Sequence, residues 1–291
     1  MTTTVRRPVK APGASKSRTR RLVRRRRPDP NKAFARRLER TRPGFVDYVL
    51  EGLEGLYGTP AYRRRNDPTS ELVLTILAQN SADTNAEAAF ESLRRRYPYA
   101  SSAAAADAPA PAEPPPGWGG VGVRPGDPPD WTAIELAPVE ELADAVRPGG
   151  LHNLKAPRIQ AALYVIREAR GDHSLEFLGA LEPSDALAFL TAIPGVGVKT
   201  ASIVLLFCFG IPYMPVDRHV ERVSKRLGIV PARASPDDAH LIYGHLLAPD
   251  RVFEAHVNLI THGRRVCHAQ RPEHERCPLV DRCRFVHPKA P

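Results

Sequence analysis

Hydrophobic positions along most of the chain recur at the 3.6-residue spacing of amphipathic helices, and no segment shows the strict alternation of a half-buried strand. The first helical pattern contains Phe45, Val49, Leu53 and Leu56. Further helices are expected from Pro68, from Asp83, over 139–146 and 154–170, from Pro183, after Gly197, from Asp217 to about Leu227, from Pro236 and over 252–260. The pattern predicts an all-α body of about ten helices.

Residues that favour helix starts support several of these segments. Asp67-Pro68 and Ser235-Pro236 each place a capping side chain directly before a proline at the first helical position. Asp83 and Asp217 are also expected to cap the helices that begin there.

Two stretches lack the apolar residues of a packed element. Residues 1–30 contain Arg, Ser, Thr and Pro with few large hydrophobic groups, and residues 100–130 are a low-complexity run of Ala, Pro and Gly. Both are predicted to be disordered, the first as a basic tail and the second as an insertion. The tail would be a non-specific phosphate-binding arm or a solvated extension, and its composition also resembles a mitochondrial transit peptide.

The positive charge of the chain is concentrated in the tail. The formal net charge is +10, but residues 1–27 hold 11 Arg or Lys and no acidic residue, and the remainder has 31 basic and 32 acidic residues. Bulk charge therefore gives no argument that the folded body binds nucleic acid. No apolar run reaches the roughly 20 residues that span a bilayer, and no signal peptide is visible, so a cytoplasmic protein is expected.

One segment combines turn residues with candidate chemistry. Ile193-Pro-Gly-Val-Gly197 lies between two helical patterns, and its glycines would turn the backbone and leave amides at the start of the next helix. Lys199 follows, and Asp217 comes eighteen residues later. Only seven of the 42 basic residues are lysine. A lysine at this place therefore suggests a need for an amine that can lose its proton, which guanidinium cannot do.

These residues, in Gly-Val-Gly-Val-Lys199-Thr-Ala and Met-Pro-Val-Asp217-Arg-His-Val, resemble the helix-hairpin-helix and Gly/Pro-rich loop signature of the endonuclease III superfamily of DNA glycosylases (HhH-GPD). The resemblance covers roughly residues 40–285 without the 100–130 insertion. It implies an all-α, two-lobed fold with a C-terminal iron–sulfur cluster loop. Residues 69–210 would form a six-helix-bundle lobe that contains the hairpin, and residues 31–68 with 211–291 would form the other lobe.

The resemblance implies that the hairpin and the start of the following helix bind the DNA backbone. The candidate contacts are Gly195, Val196, Gly197, Thr200, Arg218 and His219. Without the resemblance, the glycines would make an ordinary helix–helix turn, and the charged side chains would be solvated.

Two further segments resemble the parts of the superfamily that enter the DNA helix. Gln79, in Leu-Ala-Gln-Asn-Ser, corresponds to the residue that fills the space left by an extruded base. Leu151, in Gly-Leu-His-Asn, corresponds to the residue that wedges into the base stack, although His152 replaces the usual tyrosine. Taken alone, Gln79 would be a polar residue at a helix end and Leu151 a buried loop residue.

In bifunctional members of the superfamily, the position of Lys199 carries the nucleophile. Its amine would displace the base at C1′ and form a Schiff base, after which β-elimination would break the 3′ phosphodiester bond. Burial and the helix N-terminus would both favour the uncharged amine. Asp217 would deprotonate the amine or stabilise the developing sugar cation. The alternatives are a phosphate contact for Lys199 and a purely capping role for Asp217.

The C-terminal cysteines predict a metal site. Cys267, His274, Cys277 and Cys283 are separated by six, two and five residues. This is the spacing of the superfamily's [4Fe–4S] ligands, with histidine in place of the second cysteine. A [4Fe–4S] cluster with three cysteines and one histidine, a zinc site with the same ligands, and a site without metal remain open. Cys208 lies in a fully apolar segment and is expected to be buried.

The sequence thus predicts a base-excision repair enzyme that acts on double-stranded DNA. It would remove oxidised pyrimidines and cleave abasic sites as a monomer associated with the nucleoid. A glycosylase of the same fold for mismatched thymine or uracil is one alternative. A non-catalytic DNA-binding module that uses the hairpin as a phosphate clamp is another.

Overall fold

In the computed structural model of this protein, residues 29–64, 66–99 and 127–289 are described, and none of them lies in a β-strand. The described ranges contain twelve α-helices: α1 (Pro30–Thr41), α2 (Phe45–Tyr57), α3 (Pro68–Ala78), α4 (Asp83–Arg96), α5 (Trp131–Leu136), α6 (Val139–Ala145), α7 (His152–Arg170), α8 (Pro183–Ala192), α9 (Val198–Phe209), α10 (Arg218–Leu227), α11 (Pro236–Leu246) and α12 (Val252–Arg265). The all-α prediction is confirmed. None of the described helices combines the length and apolar character that crossing a membrane requires.

The described helices bury two separate hydrophobic cores. The first lies among α3 to α9, with α3 contributing an almost continuous apolar face and α7 crossing the bundle. The second is built from α1, α2, α10, α11 and α12 and includes Leu279 and Cys283 near the C-terminus. This arrangement is the two-lobed fold that the sequence pattern indicates, while the exact lobe boundaries stay a prediction.

Helix α9 contributes to both cores because it is apolar on all sides. Val204, Leu205 and Cys208 belong to the first core, as expected for Cys208. Leu206 and Phe207 belong to the second. The N-terminus of α9 follows the glycine turn, so the turn and Lys199 are placed where the two lobes meet.

Helix caps position the segments around the cleft. Asp67 caps α3 and Asp217 caps α10, each by accepting two backbone N–H bonds through its carboxylate. Ser235 and Asp238 form a reciprocal capping box at the start of α11. The prediction for Asp83 is wrong, because Ala82 is the N-cap of α4 and Asp83 instead pairs with Arg264 of α12 at 2.6 Å.

The structure also corrects the edges of the stretches predicted to be disordered. Asp29 caps α1, which begins at residue 30, and residues 127–130 lead into α5, whose cap is Asp130. The Asp130 amide donates to the Tyr97 carbonyl at 2.8 Å, so the chain before and after the insertion is joined by a hydrogen bond. The predictions for residues 1–28 and 100–126 lie outside the described residues. Leu56 is 45% exposed rather than part of the core face of α2.

Candidate active site

A cavity of about 690 Å³ lies between the two lobes. Its walls come from α3, α9, α10 and α12, from residues 79–82 between α3 and α4, and from Asp83 at the start of α4. Four of the sequence-predicted site residues besides Lys199 and Asp217 line it: Gln79, Thr200, Arg218 and His219. The cavity is large enough to hold a nucleobase with its sugar, since ligand pockets commonly have volumes of about 300–1,000 Å³.

Lys199 sits in the first turn of α9 and lines this cavity. Gly197, the residue that caps α9, has no side chain to satisfy the free amides of the first turn. The positive end of the helix therefore faces the same space as the amine. The burial expected for Lys199 is absent, because its side chain is exposed to the cleft.

Asp217 lies on the wall formed by α10, and its orientation is fixed by capping. Its Oδ1 atom accepts hydrogen bonds from the amides of His219 at 2.9 Å and Val220 at 2.8 Å. The carboxylate is partly buried and lines the same cavity as Lys199. Capping and a catalytic role are compatible here, because the bonds to one oxygen hold the other carboxylate oxygen in a defined position.

His256 of α12 is a cavity residue that the sequence did not single out. Its Nδ1 lies 3.0 Å from the carbonyl oxygen of Pro215. A carbonyl only accepts, so Nδ1 carries the proton and Nε2 keeps its lone pair in the neutral ring. Burial lowers the pKa of His256 to about 4, with Lys199 acting in the same direction and Asp217 opposing it. A lone histidine in an apolar helix carries no sequence signal that separates this position from an ordinary core.

The buried His256 predicts a pH dependence of stability. Its folded-state pKa lies below that of the unfolded chain, which takes up a proton below about pH 6.5. The contribution of the uncharged His256 to the free energy of unfolding is therefore complete above that pH. It is lost as the pH falls toward 4, at up to about 1.4 kcal/mol per pH unit. Denaturant unfolding measured from pH 4 to 8 should show that the stability gap between the wild type and His256→Asn changes with pH, because asparagine keeps a donor for Pro215 but does not titrate. Parallel curves for the two proteins would contradict this expectation.

The cavity lining combines apolar side chains with polar groups. Glu71, on α3, is fully buried, and one carboxylate oxygen accepts a hydrogen bond from the Asn66 amide nitrogen at 2.8 Å. Thr75, one turn further along α3, and Phe207 of α9 line the same region. These groups are where selection between bases would be made, because a buried polar group discriminates strongly against a partner that leaves it without a hydrogen bond.

The glycine turn adopts the geometry that the sequence suggested. Gly195 has a φ of +82°, which only glycine adopts without strain. Gly195 and Gly197 are exposed, whereas Val196 is buried and its amide donates to Ile193 within the turn. The exposed glycines and the uncapped first turn of α9 are therefore the part of the hairpin that offers amides to a phosphate.

The Gln79 side chain is tied to the hairpin. Its Nε2 donates to the Gly195 carbonyl at 3.2 Å and contacts the Thr200 hydroxyl at 3.4 Å. Its Oε1 accepts from the Arg158 guanidinium at 3.1 Å. Arg158 also lies against Gly195, where a Cβ would meet its Cδ at 3.1 Å. Arg158 is thus a further cation next to the candidate phosphate site, and it was not predicted from the sequence.

Leu151 projects from the loop before α7 and is 51% exposed. It therefore is not the buried loop residue that its hydrophobicity alone would suggest. Its backbone is left-handed, with a φ of +50°, a conformation that leucine rarely adopts. His152 begins α7 directly after it.

Arg218 and His219 differ in their exposure to solvent. Arg218 is exposed at the cavity rim, as a phosphate contact would be. His219 is partly buried, accepts a hydrogen bond from Arg222 at 3.1 Å and packs on Gly263 of α12, where a Cβ would come within 2.8 Å of the His219 Cβ. Burial lowers the pKa of His219, and nearby arginines act in the same direction while Asp217 opposes them. The ring is consequently neutral and helps hold α10 against α12.

The predicted metal ligands lie together after α12. Cys267, His274, Cys277 and Cys283 line one small cavity of about 20 Å³. Arg226 donates from Nη1 to the Cys267 sulfur at 3.2 Å, which ties this predicted ligand to α10. In the described ranges, no three His, Cys, Asp or Glu side chains are arranged around a single ion site. The donor set of three thiols and one imidazole is chemically suited to a cluster or to zinc.

Comparisons with known proteins identify the class that this fold and cleft define. Residues 73–247 match the HhH-GPD superfamily base excision DNA repair protein family. Endonuclease III from Sulfolobus acidocaldarius is 30% identical over 196 residues, covering 67% of this chain and 72% of that protein. Endonuclease III from Thermotoga maritima is 30% identical over 210 residues, covering 72% of this chain and 78% of that protein.

Solved structures share the fold. A non-covalent endonuclease III–DNA complex superposes with a TM-score of 0.64 at 24% identity, over 84% of this chain and 96% of that one. A thermostable thymine-DNA glycosylase superposes with a TM-score of 0.60 at 15% identity, over 89% of this chain and all of that one. The chain belongs to the HhH-GPD superfamily of base excision DNA repair proteins and is a DNA glycosylase.

Proposed function

We propose that this protein is a bifunctional glycosylase of the endonuclease III type. It removes oxidised pyrimidines from double-stranded DNA and cleaves the resulting abasic site. The observation that carries the proposal is the placement of Lys199 and Asp217, each at the start of a helix, in the lining of one cavity. The similarity to two endonuclease III proteins at 30% identity supports the same assignment.

The reaction follows from the positions of these two residues. A damaged base leaves the stack and enters the cavity, which brings C1′ of its sugar to the mouth. Asp217 accepts a proton from the Lys199 ammonium, and the free amine attacks C1′ as the glycosidic bond breaks and the base departs with its electron pair. The amine loses its second proton as the sugar ring opens to the Schiff base.

Strand cleavage then proceeds from the Schiff base. The iminium group acidifies C2′, whose proton passes to a base, and the electron pair forms the C2′–C3′ double bond while the 3′ phosphate leaves. We assign this role to His256, which lines the cavity, is neutral and keeps a lone pair on Nε2 because its Nδ1 donates to Pro215. Hydrolysis of the imine finally releases Lys199 for another turnover.

DNA binding in the cleft is proposed from three sets of contacts. The glycine turn and the N-terminus of α9 hold a backbone phosphate, with Thr200 and Arg158 beside it, and Arg218 at the cavity rim contacts another. Gln79 and Leu151 insert into the DNA duplex from the two segments that flank the cavity mouth. Endonuclease III binds DNA in two solved complexes that share this fold, which supports the same mode for this chain.

A panel of duplexes tests the substrate assignment. Each duplex carries an oxidised pyrimidine, an abasic site, or a thymine or uracil opposite guanine, and base release and strand cleavage are scored separately. Release and cleavage at the oxidised pyrimidine support the proposal. Preferred release of thymine or uracil would instead make the protein a mismatch glycosylase, an activity that occurs on this fold in the thymine-DNA glycosylase. Binding without release of any base would favour a non-catalytic clamp.

We infer that Cys267, His274, Cys277 and Cys283 hold a [4Fe–4S] cluster, with zinc as the alternative. Their spacing, their common cavity and the Arg226 bond to Cys267 support the inference. When bound, the group would cross-link the C-terminal loop and fix it against α10. Arg226 would then hold this loop through the Cys267 sulfur and the carbonyl groups of His268 and Ala269.

Metal analysis distinguishes these cases. Protein isolated without oxygen should contain about four iron and four sulfide per chain and absorb visible light. His274→Ala should lose iron, whereas His274→Cys should retain it because it restores a thiolate ligand. One zinc per chain, lost in His274→Ala, would contradict the cluster. Full iron content in His274→Ala would show that His274 is not a ligand.

A further inference from the structure

Lys155 lies in the interior of the lobe formed by α3 to α9. Among the described residues, no carboxylate forms an ion pair with it. It lies on α7 and is 1% exposed. Its Nζ donates to the Leu77 carbonyl at 2.6 Å, the Gly149 carbonyl at 2.7 Å and the Ser81 hydroxyl at 3.2 Å. These three acceptors match the three N–H donors of an ammonium group.

The acceptors of Lys155 belong to the two segments that carry Gln79 and Leu151. Leu77 and Ser81 flank Gln79 on one segment, and Gly149 lies two residues before Leu151 on the other. The Ser81 hydroxyl also donates directly to the Gly149 carbonyl. A Cβ on Gly150 would lie 3.4 Å from the same hydroxyl oxygen, so the two segments are in van der Waals contact.

Both segments contain a residue in the left-handed backbone region. Asn80 has a φ of +52° and Leu151 a φ of +50°, and only one other described non-glycine residue, Arg271, has a positive φ. Such conformations cost roughly 1–3 kcal/mol and persist where the surrounding structure fixes them. The bonds from Lys155 and Ser81 to the flanking carbonyls are that restraint.

The chemistry of the site explains why this position is lysine. The chain uses arginine for 35 of its 42 basic residues. A guanidinium group has five donors in a planar fork and would leave two of them unpaired in a pocket with three acceptors. Burial lowers the pKa of Lys155, and an apolar side chain of the same length would avoid that desolvation cost. If this position served packing alone, an apolar side chain would stabilise the fold more than the buried amine does.

We infer that Lys155 is a positioning residue for base extrusion, which locks the Gln79 and Leu151 segments into one unit that enters DNA together. The inference rests on the proposed function, because it requires both side chains to insert into a duplex. Lys155 acts through the backbone of these segments and touches neither the sugar nor the base. Its effect is consequently confined to duplex substrates, in which the two side chains must enter the base stack.

The test compares an abasic site in duplex DNA with the same site in single-stranded DNA, which has no stack to enter. Lys155→Met is expected to lower kcat/KM on the duplex about ten- to hundredfold, since small misplacements of positioning groups have effects of this size. Cleavage of the single strand should change less than about twofold. In a Leu151→Ala background, the additional loss from Lys155→Met on the duplex should largely disappear, because both changes remove the same function.

Gln160→Met is the matched control. Gln160 lies on the same helix, and its amide donates to three backbone carbonyls at the other side of the bundle, those of Ile134, Glu135 and Ala137. Gln160→Met should lower the thermal unfolding temperature. It should change cleavage of the duplex and single-stranded abasic sites by the same factor. If Lys155→Met does not fold, Ser81→Ala replaces it, and a duplex-specific loss of a few-fold is expected because one of the three acceptors is removed.

Three results would overturn the inference. The first is an equal loss on both substrates, and the second is full additivity of Lys155→Met with Leu151→Ala. Either would leave Lys155 as a structural residue while the proposed function stands. The third is a wild-type protein that cleaves neither abasic substrate, which would refute the proposed function itself.

Discussion

Lys199→Gln is expected to abolish the covalent adduct that borohydride traps between the protein and abasic DNA. The glutamine amide cannot form a Schiff base, but it occupies a similar volume at the first turn of α9 and leaves the helix intact. Strand cleavage should fall by about 10⁴-fold or more, as for removal of other nucleophiles. Duplex binding measured by fluorescence anisotropy should be retained, because the amides of the glycine turn are unchanged.

Lys225→Gln provides the control for this experiment. Lys225 lies in the last turn of α10, does not line the cavity and forms an ion pair with Glu221 at 2.6 Å. Its replacement should leave both trapping and cleavage at the wild-type level. An adduct of normal yield in Lys199→Gln would show that another amine is the nucleophile. Loss of binding together with cleavage would instead favour a phosphate contact as the role of Lys199.

Asp217→Asn is expected to lower the rate of base excision by about 10²- to 10⁴-fold while the protein remains folded. Asparagine caps helices about as well as aspartate, so the bonds from the amides of His219 and Val220 can persist. The amide cannot accept a proton from Lys199 or balance positive charge on the sugar. Single-turnover kinetics on an intact damaged base would measure the loss at the chemical step.

Asp67→Asn is the control for Asp217→Asn, because it changes a helix cap in the same way at a position outside the candidate active site. Asp67 caps α3 through Oδ1, which accepts from Thr69 at 3.1 Å and Ser70 at 2.9 Å, and it lies outside the candidate active site. Both variants should unfold within a few degrees of the wild type, but only Asp217→Asn should be slow. Wild-type excision by Asp217→Asn would reduce its role to that of a cap.

Much of the fold could be predicted from periodicity and capping, because long amphipathic helices show a regular 3.6-residue spacing of apolar positions. The segments beginning at Pro68, Pro183 and Pro236 are helices from those residues in the structure. α1 was missed because five of its twelve residues are charged and only Ala35 and Leu38 supply buried apolar side chains. α5 was missed because it has six residues and lies directly after a low-complexity run.

The candidate site was predictable only where a motif marked it. The glycine turn, Lys199 and Asp217 stand in recognisable segments, and the structure brings the two side chains to one cavity. His256 and Glu71 reach the cavity from helix positions that look like core in the sequence. Whether a polar residue on a buried helix face meets a wall or a cavity depends on the packing of distant segments, and periodicity does not contain that information.

The participation of α9 in both cores restricts how the protein can evolve. Leu205 packs in one lobe and Leu206 in the other, and both lie within two turns of Lys199 on the same rigid helix. A repacking mutation in α9 therefore displaces the amine, and neutral drift at these positions is suppressed for reasons of activity as well as stability. Variation that adjusts thermal stability alone is left to helices such as α1 and α11, which pack on each other away from the cavity.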